Sequence, residues 1–192
     1  MAYVLAFAGN IWEVSAVRAW FVAYLAWTLS LPGNQLRLPE PAIISGIASL
    51  AGFPAAVAVA ELALRYGRVA ITATCLISVL VCLGLAATAG GPTLVILPLL
   101  VLVQITSIAD AGALSTGAVA TADPARRGTA LATYAFIGYT SAIAGPVAVG
   151  VALDQFGGVG SAMGWTAAFA TMGLGSVVAA WALRGIPRLM NE

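Results

Sequence analysis

The chain has no lysine and no histidine, and it carries little charge of either sign. All eight basic residues are arginine, and they face seven acidic residues in 192 positions. Charged residues make up 8% of the sequence, against about 25% in a soluble domain. So few charges cannot clothe a globule in water. The missing histidines exclude a serine–histidine dyad. The two cysteines, Cys75 and Cys82, lie seven residues apart in one apolar run. Two helical turns hold them about 10 Å apart, too far for a disulfide, so they read as small core residues. No His/Cys/carboxylate cluster has metal-ligand spacing. No Walker A loop and no TVGYG-like filter is present. The sequence therefore predicts no enzyme activity, no metal and no cofactor. A net charge of +1 offers no field for nucleic acid. No Asn-x-Ser/Thr sequon occurs. No basic stretch precedes the first apolar run, which continues past Leu25 and is too long for a cleavable signal segment.

What is abundant is apolar length. The chain is 61% hydrophobic, with a mean hydropathy of +1.02. A membrane-spanning helix needs about 20 mostly apolar residues. Six segments meet that need, at about 4–29, 42–64, 69–89, 93–120, 129–153 and 163–183. The sequence thus predicts an all-α integral membrane protein whose first partner is the lipid bilayer, with the whole of 1–192 as one six-helix domain. The breaks between spans have turn chemistry. Leu31–Pro41 holds three prolines and a glycine, Ala89-Gly90-Gly91-Pro92 is a tight turn, and Gln155–Ser161 is glycine-rich. Asp123-Pro124 reads as an N-cap followed by proline at the first helical position.

Arginine placement predicts orientation. Arg65, Arg68, Arg126, Arg127, Arg184 and Arg188 fall on one side, and only Arg37 on the other. Both termini are therefore expected in the cytoplasm of a multi-pass protein of the cell (inner) membrane. Small residues recur every four positions at Ala48, Gly52, Ala56 and Ala60, at Ala109, Ala113 and Gly117, and at Ala167, Thr171, Gly175 and Ala179. Such stripes let helix backbones approach. The second and fifth spans also resemble each other. Gly52-Phe53-Pro54 and Gly145-Pro146 each place a helix break mid-span, and Tyr66-Gly67 and Phe156-Gly157 close each helix. The pattern predicts two three-helix repeats of inverted topology, a design common in carriers.

Three charges fall inside the spans. A charge at the bilayer centre costs about 2.5–3.5 kcal/mol on insertion scales, so Glu13, Arg18 and Asp110 are the candidate site. From the cytoplasmic end they lie about 15, 22 and 16 Å deep. Glu13 and Arg18 are about 140° apart around one helix and cannot pair along one face. Matched depth predicts that Arg18 meets Asp110 across a central cavity. Glu13, Val17, Trp20, Tyr24 and Trp27 share a face, as a substrate-lining stripe would. Trp27 also suits an interfacial anchor. Gln104, Thr106 and Ser107 add polarity to the fourth span.

The chain resembles the C-terminal half of a major facilitator superfamily carrier, as helices seven to twelve. Arg65-Tyr66-Gly67-Arg68 resembles that family's cytoplasmic R-x-G-R turn. Asp123-Pro124-Ala125-Arg126-Arg127-Gly128-Thr129-Ala130 resembles its turn between helices ten and eleven. The Gly145-Pro146 break, the Gly157-Gly158 turn and Gly164-Trp165-Thr166-Ala167-Ala168-Phe169 resemble the approach to helix twelve. Trp12-Glu13 and Arg18-Ala19-Trp20 resemble cyanate-permease-like members. The family's signature has Asp before R-x-G-R; here Leu64 stands there, and Glu61 sits one turn earlier, within reach of Arg65.

The resemblance implies transport of a small solute by a secondary carrier, or by the C-terminal half of one. Arg18 would favour an anionic solute, and Asp110 and Glu13 would serve proton coupling. It also implies a second six-helix half, or a homodimer partner, because the family's cavity lies between two such bundles. The competing expectation is a truncated carrier fragment, inactive alone and serving only as a membrane-embedded structural half.

Overall fold

The computed structural model describes residues 2–34 and 36–184; Arg188, counted above toward orientation, lies outside them. All regular structure among the described residues is helical. The elements are α1 (Ala2–Ser30), α2 (Pro41–Tyr66), α3 (Arg68–Ala87), α4 (Thr93–Ala109), α5 (Ala111–Ala120), a 3-10 turn (Pro124–Arg126), α6 (Arg127–Gln155) and α7 (Ala162–Arg184). Asp123 does cap the turn before α6: its carboxylate accepts from Ala125 N at 3.0 Å.

Five stretches are long and apolar enough to cross a membrane: α2, α3, α4 with α5 (Thr93–Ala120), α6 with its leading turn (Pro124–Gln155), and α7. The chain is thus an all-helical bundle of the kind found in multi-pass membrane proteins. The expected first span is helical over 29 residues, yet it is not among the five. Asn10, Glu13, Arg18 and its hydroxyl and aromatic residues dilute its apolar character. The packing accounts for this. Helix α1 lies against α4, α5, α6 and α7, so its polar groups face protein more than lipid. The peripheral helix is α2, with 11% of its apolar window buried against 56% for α7. Its exposed Ile43, Ile47, Leu50, Phe53 and Val57 form the surface a lipid or a second bundle would cover.

Small residues set the central contacts. A methyl group at Gly9 would overlap the Gly175 carbonyl, and one at Gly175 would overlap that of Gly9. The backbones of α1 and α7 therefore touch directly. Gly145 meets the Trp12 carbonyl in the same way, which seats α6 on α1. Of the small-residue stripes, Gly52 faces Ile108, Gly117 faces Tyr3, and Gly175 faces α1.

Both ends of the bundle are tied by side chains. Arg68 Nη1 donates to the carbonyls of Leu183 (2.9 Å) and Arg184 (2.8 Å). These carbonyls lie in the last described turn of α7, so Arg68 ties the start of α3 to α7. At the opposite end Asn34 Nδ2 donates to Gly91 O at 2.7 Å, and Asn34 Oδ1 accepts from Thr93 N at 3.2 Å. One loop asparagine thus closes the turn that launches α4.

Candidate functional site: a polar layer inside the bundle

The interior has two hydrophobic clusters. One, built on Val17, Tyr24, Leu100, Trp165 and Phe169, fills the end near the glycine-rich turns. The other, built on Ala6, Ile71, Leu114, Ala179 and Leu183, fills the arginine-rich end. Between them every central helix changes chemistry within one turn. Helix α1 presents Asn10 and Glu13, α3 presents Ser78, α4 presents Thr106 and Ser107, and α7 presents Ser176; Asp110 stands at the junction of α4 and α5. All seven side chains are buried.

Glu13 bridges three helices. Its Oε1 accepts from Ser78 Oγ at 2.5 Å and from Cys82 Sγ at 3.7 Å, and its Oε2 accepts from Ser176 Oγ. Ser78 Oγ also lies 3.0 Å from Thr106 Oγ1, carrying the network to α4. A carboxylate that receives donors from α3 and α7 fastens α1 to both.

Asp110 forms the second node. The expected fourth span forms as one crossing stretch, Thr93–Ala120, with a single irregular residue: Asp110 stays in the right-handed helical region (φ −95°, ψ −8°) where α4 gives way to α5. Asn10 reaches this point from α1. Its Nδ2 donates to Asp110 Oδ1 at 2.6 Å and to Ser107 O at 2.8 Å. Asp110 Oδ2 accepts from Cys75 Sγ at 3.2 Å. One Asn10 amide thus serves both the Asp110 carboxylate and a backbone carbonyl of α4.

The predicted pair between Arg18 and Asp110 does not form. Asp110 is 3% exposed and held by Asn10 and Cys75, whereas Arg18 is exposed on the other side of α1. The angular offset that kept Arg18 from Glu13 also turns it away from the whole polar layer. The aromatic stripe is corrected as well. Glu13, Val17 and Tyr24 are fully buried, and Tyr24 packs among Trp27, Trp165 and Phe169 with ring centroids 4.7–5.9 Å away. Trp20 Nε1 donates to Pro146 O at 3.1 Å, the residue at the expected break inside α6. These aromatics pack α1 against α6 and α7. Gln104 is also interior: Nε2 donates to Ser49 Oγ at 2.8 Å, while Oε1 has no partner. In the R-x-G-R-like turn, Glu61 and Arg65 are exposed, Gly67 takes a positive φ of 57°, and Arg68 is the residue with a defined task.

Sequence reasoning missed Asn10, Cys75, Ser78, Cys82 and Ser176. A signal existed: Cys75, Ser78 and Cys82 are spaced i, i+3, i+7 and so share one face of α3. The cysteines are indeed buried and unpaired, but their thiols bond carboxylates as well as fill space. A surface crevice of ≈ 250 Å³ lies between α1, α6 and α7, lined by Gly9, Trp12, Ser141, Leu174, Gly175 and Val178. It is almost wholly apolar and includes neither carboxylate. No protein-family model, no curated protein and no solved structure matches this chain.

Proposed function

We propose that the chain is a secondary carrier bundle that moves a small, anionic solute, working as one of two six-helix halves of a major-facilitator type. The observation that carries this reading is the pair of carboxylates, Glu13 and Asp110, buried in the polar layer inside the bundle. Ionisable side chains within membrane spans mark ion and substrate pathways in carriers. A static scaffold gains nothing from two interior carboxylates that lipid-like packing would replace at lower cost. In this reading the polar layer is the coupling-ion site. The solute meets Arg18 on the opposite face of α1, which would line a water-filled passage against the second half. The two three-helix repeats, the cytoplasmic termini and the cell-membrane location belong to the same proposal. They rest on the Gly-Pro echo and the arginine bias.

The test is uptake into proteoliposomes, with labelled cyanate and small monocarboxylates as probes. Expected is uptake that Arg18→Gln abolishes while the protein stays folded, and that Asp110→Asn and Glu13→Gln uncouple from the ion gradient. Full, gradient-driven uptake in all three variants would remove the assignment.

One observation favours a second reading, in which the chain is a structural half with no transport alone. Helices α2 and α6 expose large apolar side chains, including Phe53, Phe136, Tyr139 and Ile143, as a bundle built to lie against a second half would. A folded chain that takes up no solute, alone or with a second six-helix bundle co-expressed, selects this reading.

A further inference from the structure

We infer that the polar layer is a binding site for a dehydrated sodium ion, seated by Asn10 Oδ1 and Asp110 and bordered by Ser78, Thr106 and Glu13. The inference rests on the carrier reading for its purpose but not for its chemistry.

Three observations carry it. First, Asn10 is 3% exposed and its Oδ1 has no hydrogen-bond partner. The same amide spends its donor group on Asp110 and Ser107, so it cannot simply be turned over. A buried acceptor left without a donor costs about 1–3 kcal/mol, and a cation removes that cost.

Second, donors converge on both carboxylates, and no positively charged side chain is among them. Glu13 receives Ser78, Cys82 and Ser176, while Asp110 receives Asn10 and Cys75. A carboxyl buried between two apolar clusters with no cationic side chain beside it is neutralised by a proton or by a bound cation, and the unpartnered Asn10 oxygen beside this one favours the cation.

Third, the donor set has a recognisable hardness. Amide, hydroxyl and carboxylate oxygens from α1, α3 and α4 lie in one layer. Among the described residues no group of three or more His, Cys, Asp or Glu side chains could hold a metal. Oxygen donors suit hard cations rather than zinc or copper. A proton could satisfy one acceptor along one line. Several oxygens on three helices fit an ion that takes many ligands. On this inference sodium takes the coupling role that the sequence assigned to protons at Asp110 and Glu13.

The test is equilibrium binding of radioactive sodium to the purified full chain in detergent micelles. Expected is saturable binding, displaced by unlabelled sodium chloride and not by potassium chloride. Asn10→Ala and Asp110→Asn should weaken it by at least about tenfold. Ser78→Ala and Thr106→Val, which preserve helix and volume better, should weaken it less. Thr140→Val, on the exposed face of α6, should bind as the parent does. Near-UV circular dichroism establishes that each variant is folded. Absence of saturable binding by the folded parent overturns the site, as does equal displacement by potassium. Undiminished affinity in folded Asn10→Ala and Asp110→Asn overturns it too. Binding is read without transport, so the two proposals fail separately. Sodium binding without uptake sinks the carrier reading alone, and uptake without sodium binding sinks the site alone.

Discussion

Helix α1 has two polar faces, and they are treated in opposite ways. On the inner face Asn10 and Glu13 are bonded to α3, α4 and α7. On the outer face Arg18 is exposed. A charge-bearing group that protein packing surrounds must find its partners within the fold. One that points outward at mid-span must find them in water, solute or a second bundle. The difference teaches that charges at similar depth do not make one site. Depth along a helix and angle around it are separate coordinates, and here the angle decides.

The inner face should be costly to break. Asn10→Leu strips Asp110 and the Ser107 carbonyl of their donor together. It should destabilise the bundle by about 3–5 kcal/mol, read from denaturant unfolding in micelles. A loss under about 1 kcal/mol would mean the network is not formed. Gly175→Leu comes next. Its side chain has no room against the Gly9 carbonyl, and overpacking of this kind costs about 1–3 kcal/mol, seen as a lowered unfolding midpoint. Unchanged stability would show that α1 and α7 do not touch. Arg68→Gln should cost about 0.5–1.5 kcal/mol by removing its hydrogen bonds to the Leu183 and Arg184 carbonyls and should raise hydrogen exchange where α3 meets α7. The smallest effect on stability belongs to the outer face. Arg18→Gln should shift it by no more than about 0.5 kcal/mol while removing uptake. A large loss of stability there would place Arg18 in the interior network and erase the contrast between the faces.

Much of this was legible before any coordinates. The Leu31–Pro41 loop, the Gly90-Gly91-Pro92 turn and the Asp123 cap follow from local turn chemistry, and the helices that form between them are set by apolar length. The unusual residues were also legible: Glu13 and Asp110 stand out because burial of a carboxylate is costly wherever it occurs. Partners were not. Asn10 meets Asp110 across 100 positions, and Ser176 meets Glu13 across 163. Such pairings depend on how α1, α4 and α7 are rotated about their axes. That rotation is fixed by the Gly9–Gly175 and Gly145–Trp12 approaches, in which glycine matters for what it lacks. The aromatic stripe misled because period alone shows that residues share a face and does not show whether the face is open.

The contrast between the two faces of α1 can be tested in one labelling measurement, because the inner face carries its own reporters. Cys75 and Cys82 are buried and free, and each thiol donates to an interior carboxylate. In a folded Arg18→Cys variant in membranes, a water-soluble, membrane-impermeant maleimide is predicted to modify position 18 and to leave Cys75 and Cys82 unmodified until the protein is denatured. Modification of the native cysteines with position 18 silent would contradict the account, since it would put water in the polar layer and lipid or protein where the passage is proposed.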